Sequence, residues 1–133
     1  MNQDQPLSGR RANKPQDAFT IERRGEVTVF VASPALESIE FSLASEAANL
    51  LLKPIQDQDL PQVVVDLSQV EFFGSVFLAI LLRCWKLVSS KGGSMALVGV
   101  SKGAMELLRV TSLDMVWPIY ETRREAIDAL QAD

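Results

Sequence analysis

Short apolar runs alternate along this chain with longer segments in which apolar residues recur every three or four positions. Three of the runs contain β-branched residues and are bounded by turn-forming residues, which is typical of buried strands; they cover residues 27–31, 63–67 and 95–100. Residues 19–24 alternate weakly between apolar and polar side chains, and the turn around Gly25 predicts a hairpin with the strand that follows. Residues 117–120 are short and extended, and Pro118 favours an edge strand.

The longer segments predict four helices, over residues 39–52, 76–88, 102–110 and 122–130. Ser38 is expected to cap the first helix and Pro54 to stop it, while Ser101 caps the third and Thr122 forms a capping box with Glu125. In the first helix the apolar positions share one face: Ile39, Leu43, Ala47, Leu50 and Leu51. The order β-β-α-β-α-β-α-β-α predicts a single α/β domain, with a mixed, mostly parallel sheet of about five strands and helices packed against it.

The N-terminal residues 1–17 are polar and offer almost nothing to bury, so they are predicted to form a disordered tail. The domain itself is expected to cover residues 18–133. We expect this N-terminal segment not to be a secretory signal, because it lacks an apolar core.

Composition and charge exclude several classes of function. The chain has a net charge of −4 and a pI near 4.8 without a basic stripe, which argues against nucleic acid as a partner. Its longest apolar run is far shorter than a membrane-spanning helix. The single cysteine, Cys84, lies in an apolar helix and is interpreted as a buried structural thiol, which suits a reducing, cytoplasmic compartment. Because the sequence offers no histidine, no metal-ligand cluster and no nucleophile–base pair, we expect no metal site, no cofactor and no enzymatic activity.

The corner between the strand at residues 63–67 and the next helix is the candidate functional site, because ligands of open α/β sheets bind beyond the carboxyl ends of the strands. Gly74 tolerates unusual backbone angles there, and Ser75 is predicted to cap the helix. On a helical wheel the face expected to pack on the sheet consists of Leu78, Leu81, Leu82, Trp85 and Val88. Val76 and Ile80 lie away from that face, so we expect them to form a partly exposed docking patch.

Two carboxylates flank the central strand, but they are not expected to act together. Asp66 and Glu71 are five residues apart, so on an extended strand they point to opposite faces. Asp66 is expected to accept a hydrogen bond from the backbone near Ser68 instead.

The stretch Val63-Val-Val-Asp-Leu-Ser-Gln-Val-Glu-Phe-Phe-Gly-Ser75 resembles the strand-to-helix signature of the STAS domain family, the anti-sigma factor antagonists and sulfate-transporter tails. In that family a pattern like V-V-x-D-L-S-x-V-x-F is followed by an aspartate, two hydroxyl residues and a glycine. The resemblance covers about residues 19–130. It aligns the aspartate with Gly74, the hydroxyl pair with Ser75 and Val76, and the glycine with Phe77. A kinase anti-sigma factor phosphorylates one hydroxyl of that pair in the family, so the resemblance implies Ser75 as the acceptor here.

Two hypotheses about function follow from this resemblance. The first is a non-enzymatic antagonist in a partner-switching pathway that docks a GHKL-type kinase anti-sigma factor. Its partner-binding residues would be Ser33, Pro34, Gly74, Ser75, Val76 and Ile80. The second is an accessory subunit of an ABC-type membrane transporter that binds the transporter's ATPase. A homodimer is compatible with either hypothesis.

Overall fold

The computed structural model describes residues 14–132, and it contains one five-stranded sheet with helices on both of its faces. The strands are β1 Phe19–Arg24, β2 Val27–Ala32, β3 Gln62–Asp66, β4 Ser94–Val98 and β5 Ile119–Tyr120. The helices are α1 Ala44–Gln56, α2 Ser75–Ser90, α3 Lys102–Val110 and α4 Arg123–Gln131. The predicted α/β architecture and element order are confirmed.

The sheet has the order β1-β2-β3-β4-β5, so each strand lies beside its neighbour in sequence. β1 and β2 form the predicted antiparallel hairpin, and the remaining pairings are parallel. β3 lies in the middle, with Val64 opposite Val29 on one side and Ala96 on the other. The carboxyl ends of β2, β3 and β4 therefore meet at one edge of the sheet, which we call the C-terminal edge.

Side chains of β3 alternate between two apolar layers. Val63 and Val65 belong to the main core, together with buried residues of α1, α2 and α3. Val64 belongs to a smaller cluster that is closed by Ala126 and Leu130 of α4. A strand covered on both faces reads as a continuous β-branched run, which explains why its position is evident from the sequence. No helix within residues 14–132 is long and apolar enough to cross a membrane.

Helix α1 differs from its prediction at both ends. It begins at Ala44 rather than at residue 39, because short 3-10 turns at Pro34–Ser38 and Phe41–Leu43 precede it. It also continues past Pro54 to Gln56. A proline in the last turn removes one helical hydrogen bond, and the buried side chains on either side of it hold that turn against the core. The buried residues of α1 are Ala47, Ala48, Leu51 and Ile55, whereas the predicted core residue Leu50 is 38% exposed.

Helix α2 turns a different face to the core than the helical wheel predicts. Its buried residues are Phe77, Ile80, Leu81, Cys84 and Val88, while Leu78, Leu82 and Trp85 are only partly buried. The expectation that Ile80 is exposed is wrong, since its side chain is 1% exposed. α2 contacts α1 as well as β4, so apolar residues surround most of the helix and the wheel alone does not identify the face that the sheet covers.

Most of the predicted N-terminal tail lies outside the described residues, which begin at residue 14. Residues 1–13 lie outside them, so the prediction of disorder stays a prediction there. Residues Pro15–Asp17 form a 3-10 turn that contacts α1 and β1. The Ser33 hydroxyl donates a hydrogen bond of 2.7 Å to the Asp17 carbonyl and fixes this turn to the domain.

A network of charged side chains joins α4 to the sheet. Asp66 Oδ1 accepts the predicted bond from the Ser68 amide at 2.9 Å, and it also accepts a bond from the Ser68 hydroxyl at 2.6 Å. Asp66 Oδ2 accepts a bond of 2.7 Å from Arg123, whose guanidinium also lies 3.0 Å from Glu22 of β1. Burial raises the pKa of Asp66, but the bonds from Ser68 and Arg123 outweigh this effect and hold that pKa below its ordinary value.

We expect Asp66→Asn to lower the free energy of unfolding by about 2 kcal/mol at neutral pH, because a charge-assisted hydrogen bond is lost. The folded-state pKa of Asp66 lies below its unfolded value. Its stabilising contribution is therefore complete above the unfolded pKa of about 4 and is lost as the pH falls through the folded pKa. Urea unfolding between neutral and acidic pH should show the difference between the two proteins shrinking below about pH 4.

Asp57→Asn is the matched control for this measurement. Asp57 Oδ2 lies 3.7 Å from Lys53 Nζ, and both side chains are exposed, so the pair contributes little. A difference between wild type and Asp66→Asn that is equally large at acidic pH would contradict the proposed role of the Asp66 charge.

Candidate functional site

The candidate site lies at the C-terminal edge, where three connections follow β2, β3 and β4. The first connection is residues 33–43, the second is residues 67–74 and the third is residues 99–101. Glu37 Oε2 accepts a hydrogen bond of 2.9 Å from the Glu71 amide and links the first connection to the second. The Ser101 hydroxyl donates to the Glu71 carbonyl and links the second to the third. The loop that leads to Ser75 is thus held from both sides.

A close backbone approach also fixes the second connection against the third. Gly99 has a φ of +69°, and a Cβ at that position would lie 2.7 Å from the Cβ of Ser68. Only glycine fits such a contact in this left-handed conformation. The loop therefore begins from a rigid base beside Asp66.

Ser75 is exposed at the very start of α2. It is the first helical residue, and Gly74 occupies the N-cap position without a side-chain hydrogen bond, so the prediction that Ser75 caps the helix is wrong. Among residues 14–132 no side-chain or backbone group is found in a hydrogen bond with its hydroxyl. The first bond of the helix runs from the Leu78 amide to the Gly74 carbonyl at 3.2 Å, so the preceding N–H groups are free to interact with an anion at this corner.

The backbone at Gly74 does not need glycine. Its φ of −106° and ψ of −163° are extended angles that any residue adopts, contrary to our expectation of unusual angles. A Cβ built on Gly74 meets no atom of residues 14–132 within 4 Å. The space beside Ser75 is therefore open to an incoming partner.

Three phenylalanines decide which side of the corner faces inward. Phe73 is 4% exposed and Phe77 is 1% exposed, and their rings pack edge to face with centroids 4.9 Å apart. Phe77 also lies against Phe19 of β1, at 5.9 Å. Phe72 points the other way and is 58% exposed. Phe73 and Phe77 anchor the corner in the core, while Phe72 is presented on its surface.

The remaining predicted partner-binding residues occupy different environments. Pro34 is exposed, whereas Ser33 is partly buried and its hydroxyl accepts from the Ala35 amide at 3.2 Å as the cap of a 3-10 turn. Val76 is partly buried against the main core. Ile80 belongs to that core and is not part of any docking patch.

Two exposed aromatic residues at this edge were missed by the sequence analysis. Phe41 follows β2 and is 83% exposed, and Phe72 follows β3. For Phe72 the available signal was its position in a loop, because an aromatic residue there has no periodic face that predicts its burial. For Phe41 it was a position off the apolar face of the helix predicted over residues 39–52.

Cys84 is confirmed as a buried thiol. It is 1% exposed, and burial raises its pKa to about 12, although the nearby Arg83 charge acts in the opposite direction. A thiol with this pKa is protonated at neutral pH and is a poor nucleophile.

The strand order β1-β2-β3-β4-β5 and an exposed serine at the start of α2 are the features of a STAS-type domain. Comparison with known proteins leads to the same class. The profile of the STAS domain matches residues 11–126, so the chain belongs to the STAS domain family.

The chain is 34% identical over 90 residues to a Thermotoga neapolitana protein named as a candidate anti-sigma factor antagonist, covering 65% of this chain and 80% of that protein. It is 31% identical over 77 residues to the anti-sigma F factor antagonist of Paenibacillus polymyxa, covering 58% and 66% of the two chains. Among solved structures, an anti-sigma-factor antagonist (STAS) domain protein from Planctomyces limnophilus superposes with a TM-score of 0.76 at 34% identity. That similarity covers 84% of this chain and 97% of the other.

Proposed function

We propose that this protein is an anti-sigma factor antagonist, a binding module without catalytic activity that docks a GHKL-type serine kinase acting as an anti-sigma factor. The antagonist names of its relatives support this function. The observation that carries it is the exposed hydroxyl of Ser75, presented at a helix start on a rigid corner. The proposal places the protein in the cytoplasm, where ATP is available to such a kinase.

The proposed docking face combines Ser75 with exposed and partly buried residues around it. It consists of Ser33, Pro34, Phe41, Phe72, Gly74, Ser75 and Val76. Aromatic residues are enriched at the energetic centres of protein interfaces, because they remove a large apolar area from water. Phe41 and Phe72 are the two members of this face with the most aromatic surface to offer.

Phosphorylation of Ser75 would switch the face off. Transfer of the γ-phosphoryl group of ATP to Ser75 Oγ releases ADP and adds a charge of about −1.5 to −2. A helix N-terminus stabilises an anion, so the fold tolerates this charge. The charge instead opposes the approach of an apolar partner surface, since the phosphate would have to lose its hydration.

The positions that depart from the family pattern are compatible with this role. Gly74 leaves open space beside Ser75, and Phe77 is buried beneath the corner rather than exposed on it. A kinase can therefore approach Ser75, which is the hydroxyl that this corner retains.

A pair of Ser75 variants tests the proposal. Wild type and Ser75→Ala should capture a serine-kinase anti-sigma factor from the native cytosol with similar affinity. Ser75→Asp should bind it at least about tenfold more weakly, as expected for an uncompensated charge in an interface. Mass spectrometry identifies the captured protein, and titration calorimetry with the purified partner gives the affinities.

Stability measurements separate binding from folding in this pair. Ser75 makes no capping bond, so both variants should unfold within about 0.5 kcal/mol of wild type. Equal affinities for Ser75→Ala and Ser75→Asp would contradict the switch. Capture of a transporter ATPase without any kinase would favour the accessory-subunit hypothesis and contradict the antagonist function.

A further inference from the structure

A groove between α1 and α2 carries positive charge on an otherwise acidic protein. It has a volume of about 460 Å³ and is lined by Leu52, Gln56, Arg83, Lys86 and Leu87, with no acidic residue among them. We call it the α1–α2 groove. The chain as a whole has a net charge of −4, whereas α2 contains Arg83 and Lys86 and no Asp or Glu.

The cations of the groove are not neutralised within the fold. Across residues 14–132, neither Arg83 nor Lys86 forms a salt bridge, and both side chains are exposed. Lys53 on the neighbouring turn of α1 pairs with Asp57 at 3.7 Å, but this exposed pair is weak. Leu52 and Leu87 between them are only partly buried. The groove thus offers an apolar strip flanked by positive charge.

One side of α2 runs from the proposed docking face towards this groove, although no residue of that face lines the groove itself. Helical periodicity places Val76, Ala79, Arg83 and Lys86 on one side of α2. Arg83 lies about 12 Å from Ser75 along the helix axis. A standard interface covers about 800 Å² on each partner, which corresponds to a radius of about 16 Å. A partner centred on the first turns of α2 therefore covers Arg83 as well.

We infer that the α1–α2 groove binds an acidic segment with apolar residues, contributed by the same serine-kinase anti-sigma factor that docks at Ser75. This inference rests on the proposed function. The cations stand at the margin of the interface, where charges chiefly accelerate and orient association. The groove would attract the partner electrostatically, and the face around Ser75 would decide whether the complex persists.

Reversing the charges of the groove measures how much it accelerates association with the partner. The combined variant Arg83→Glu/Lys86→Glu should associate with the purified anti-sigma factor at least about tenfold more slowly at low salt, with a dissociation rate within about twofold of wild type. The difference should diminish as salt is raised, since exposed charges are screened. The control is the combined variant Arg124→Glu/Arg109→Glu, which makes the same change of charge on exposed residues of α4 and α3. The association rate of this control should stay within about twofold of wild type.

A crosslink identifies the chemistry of the segment. Cys84 is buried with a pKa of about 12, so a Lys86→Cys variant can be labelled selectively with a thiol-reactive photo-crosslinker. The crosslinked peptide of the anti-sigma factor should contain more Asp and Glu than Lys and Arg. A neutral or basic peptide would overturn the inference, as would crosslinking to a second copy of this chain.

The outcomes distinguish this inference from the proposed function. If Phe72→Ala weakens binding to the anti-sigma factor and the reversal of Arg83 and Lys86 does not, only the role of the groove is overturned. If the wild-type chain binds no serine-kinase anti-sigma factor, both fail. Binding of the wild type to anionic phospholipid vesicles, abolished by the reversal, would assign the groove to a membrane surface and overturn the inference.

Discussion

Replacing Ile80 with alanine should lower the free energy of unfolding by about 2–5 kcal/mol, the range for removing a large buried aliphatic side chain. Ile80 is 1% exposed and belongs to the main core beneath α2, so its removal leaves a cavity. Val76 lies one turn earlier and is only partly buried, so Val76→Ala should cost about 1 kcal/mol. Urea unfolding of both variants at neutral pH gives the comparison.

This pair tests which side of α2 faces the core. The dependence of unfolding free energy on urea should be the same in both variants, which shows that the folded and unfolded states are comparable. Equal, small losses for the two substitutions would mean that Ile80 is exposed and that the face of α2 assigned to the core is wrong. Binding of the partner by folded Ile80→Ala should match wild type, because Ile80 does not reach the surface.

Replacing Phe72 with alanine should weaken binding to the anti-sigma factor by about thirtyfold, or about 2 kcal/mol, the usual threshold for a dominant interface residue. Phe72 is 58% exposed in the free protein and lies between Glu71, which anchors the loop, and the corner at Gly74. The same substitution should change the free energy of unfolding by less than about 0.5 kcal/mol, because the side chain is not packed in the core. Titration calorimetry and urea unfolding measure the two effects.

The adjacent phenylalanine is the matched control. Phe73 is 4% exposed and packs against Phe77, so Phe73→Ala should cost about 3–5 kcal/mol of stability. Phe73→Leu keeps most of the volume and costs less, so its affinity can be measured on a folded protein and should remain close to wild type. An unchanged affinity in Phe72→Ala would remove Phe72 from the docking face.

The C-terminal edge forms a rigid support for the docking face. Phe73 and Phe77 hold the corner in the core, and the bonds that Glu71 makes to Glu37 and Ser101 hold the loop from its sides. A rigid corner loses little conformational freedom when a partner binds, which favours affinity for a given contact area. Ser75 stands on this support, and its hydroxyl bonds to no group in the described part of the chain, so a modification there changes the surface without disturbing the fold.

The sequence alone determined the architecture of this protein. Runs of β-branched residues between breakers located β2, β3 and β4, and the turn at Gly25 identified the hairpin, because these signals depend only on local chemistry. Two of the local capping signals also held, since the bond from the Ala104 amide to Ser101 and the capping box of Thr122 with Glu125 are both present. The predicted caps Ser38 and Ser75 were wrong, because Leu43 and Gly74 occupy the N-cap positions of α1 and α2. The position of Ser75 at a strand-to-helix corner also followed from the sequence.

Only the tertiary structure decided which side of each element faces inward at the site. α2 packs on the sheet and on α1 together, so the apolar positions around it are ambiguous, and the burial of Ile80 depends on where α1 lies. Phe72 and Phe73 are identical in chemistry and adjacent in sequence, yet only the packing of Phe77 selects the one that is buried. Asp66 and Arg123 are 57 residues apart, and their contact exists because α4 returns to cover β3. Such contacts depend on how whole helices and strands are arranged in space. A local pattern of residues carries no information about that arrangement.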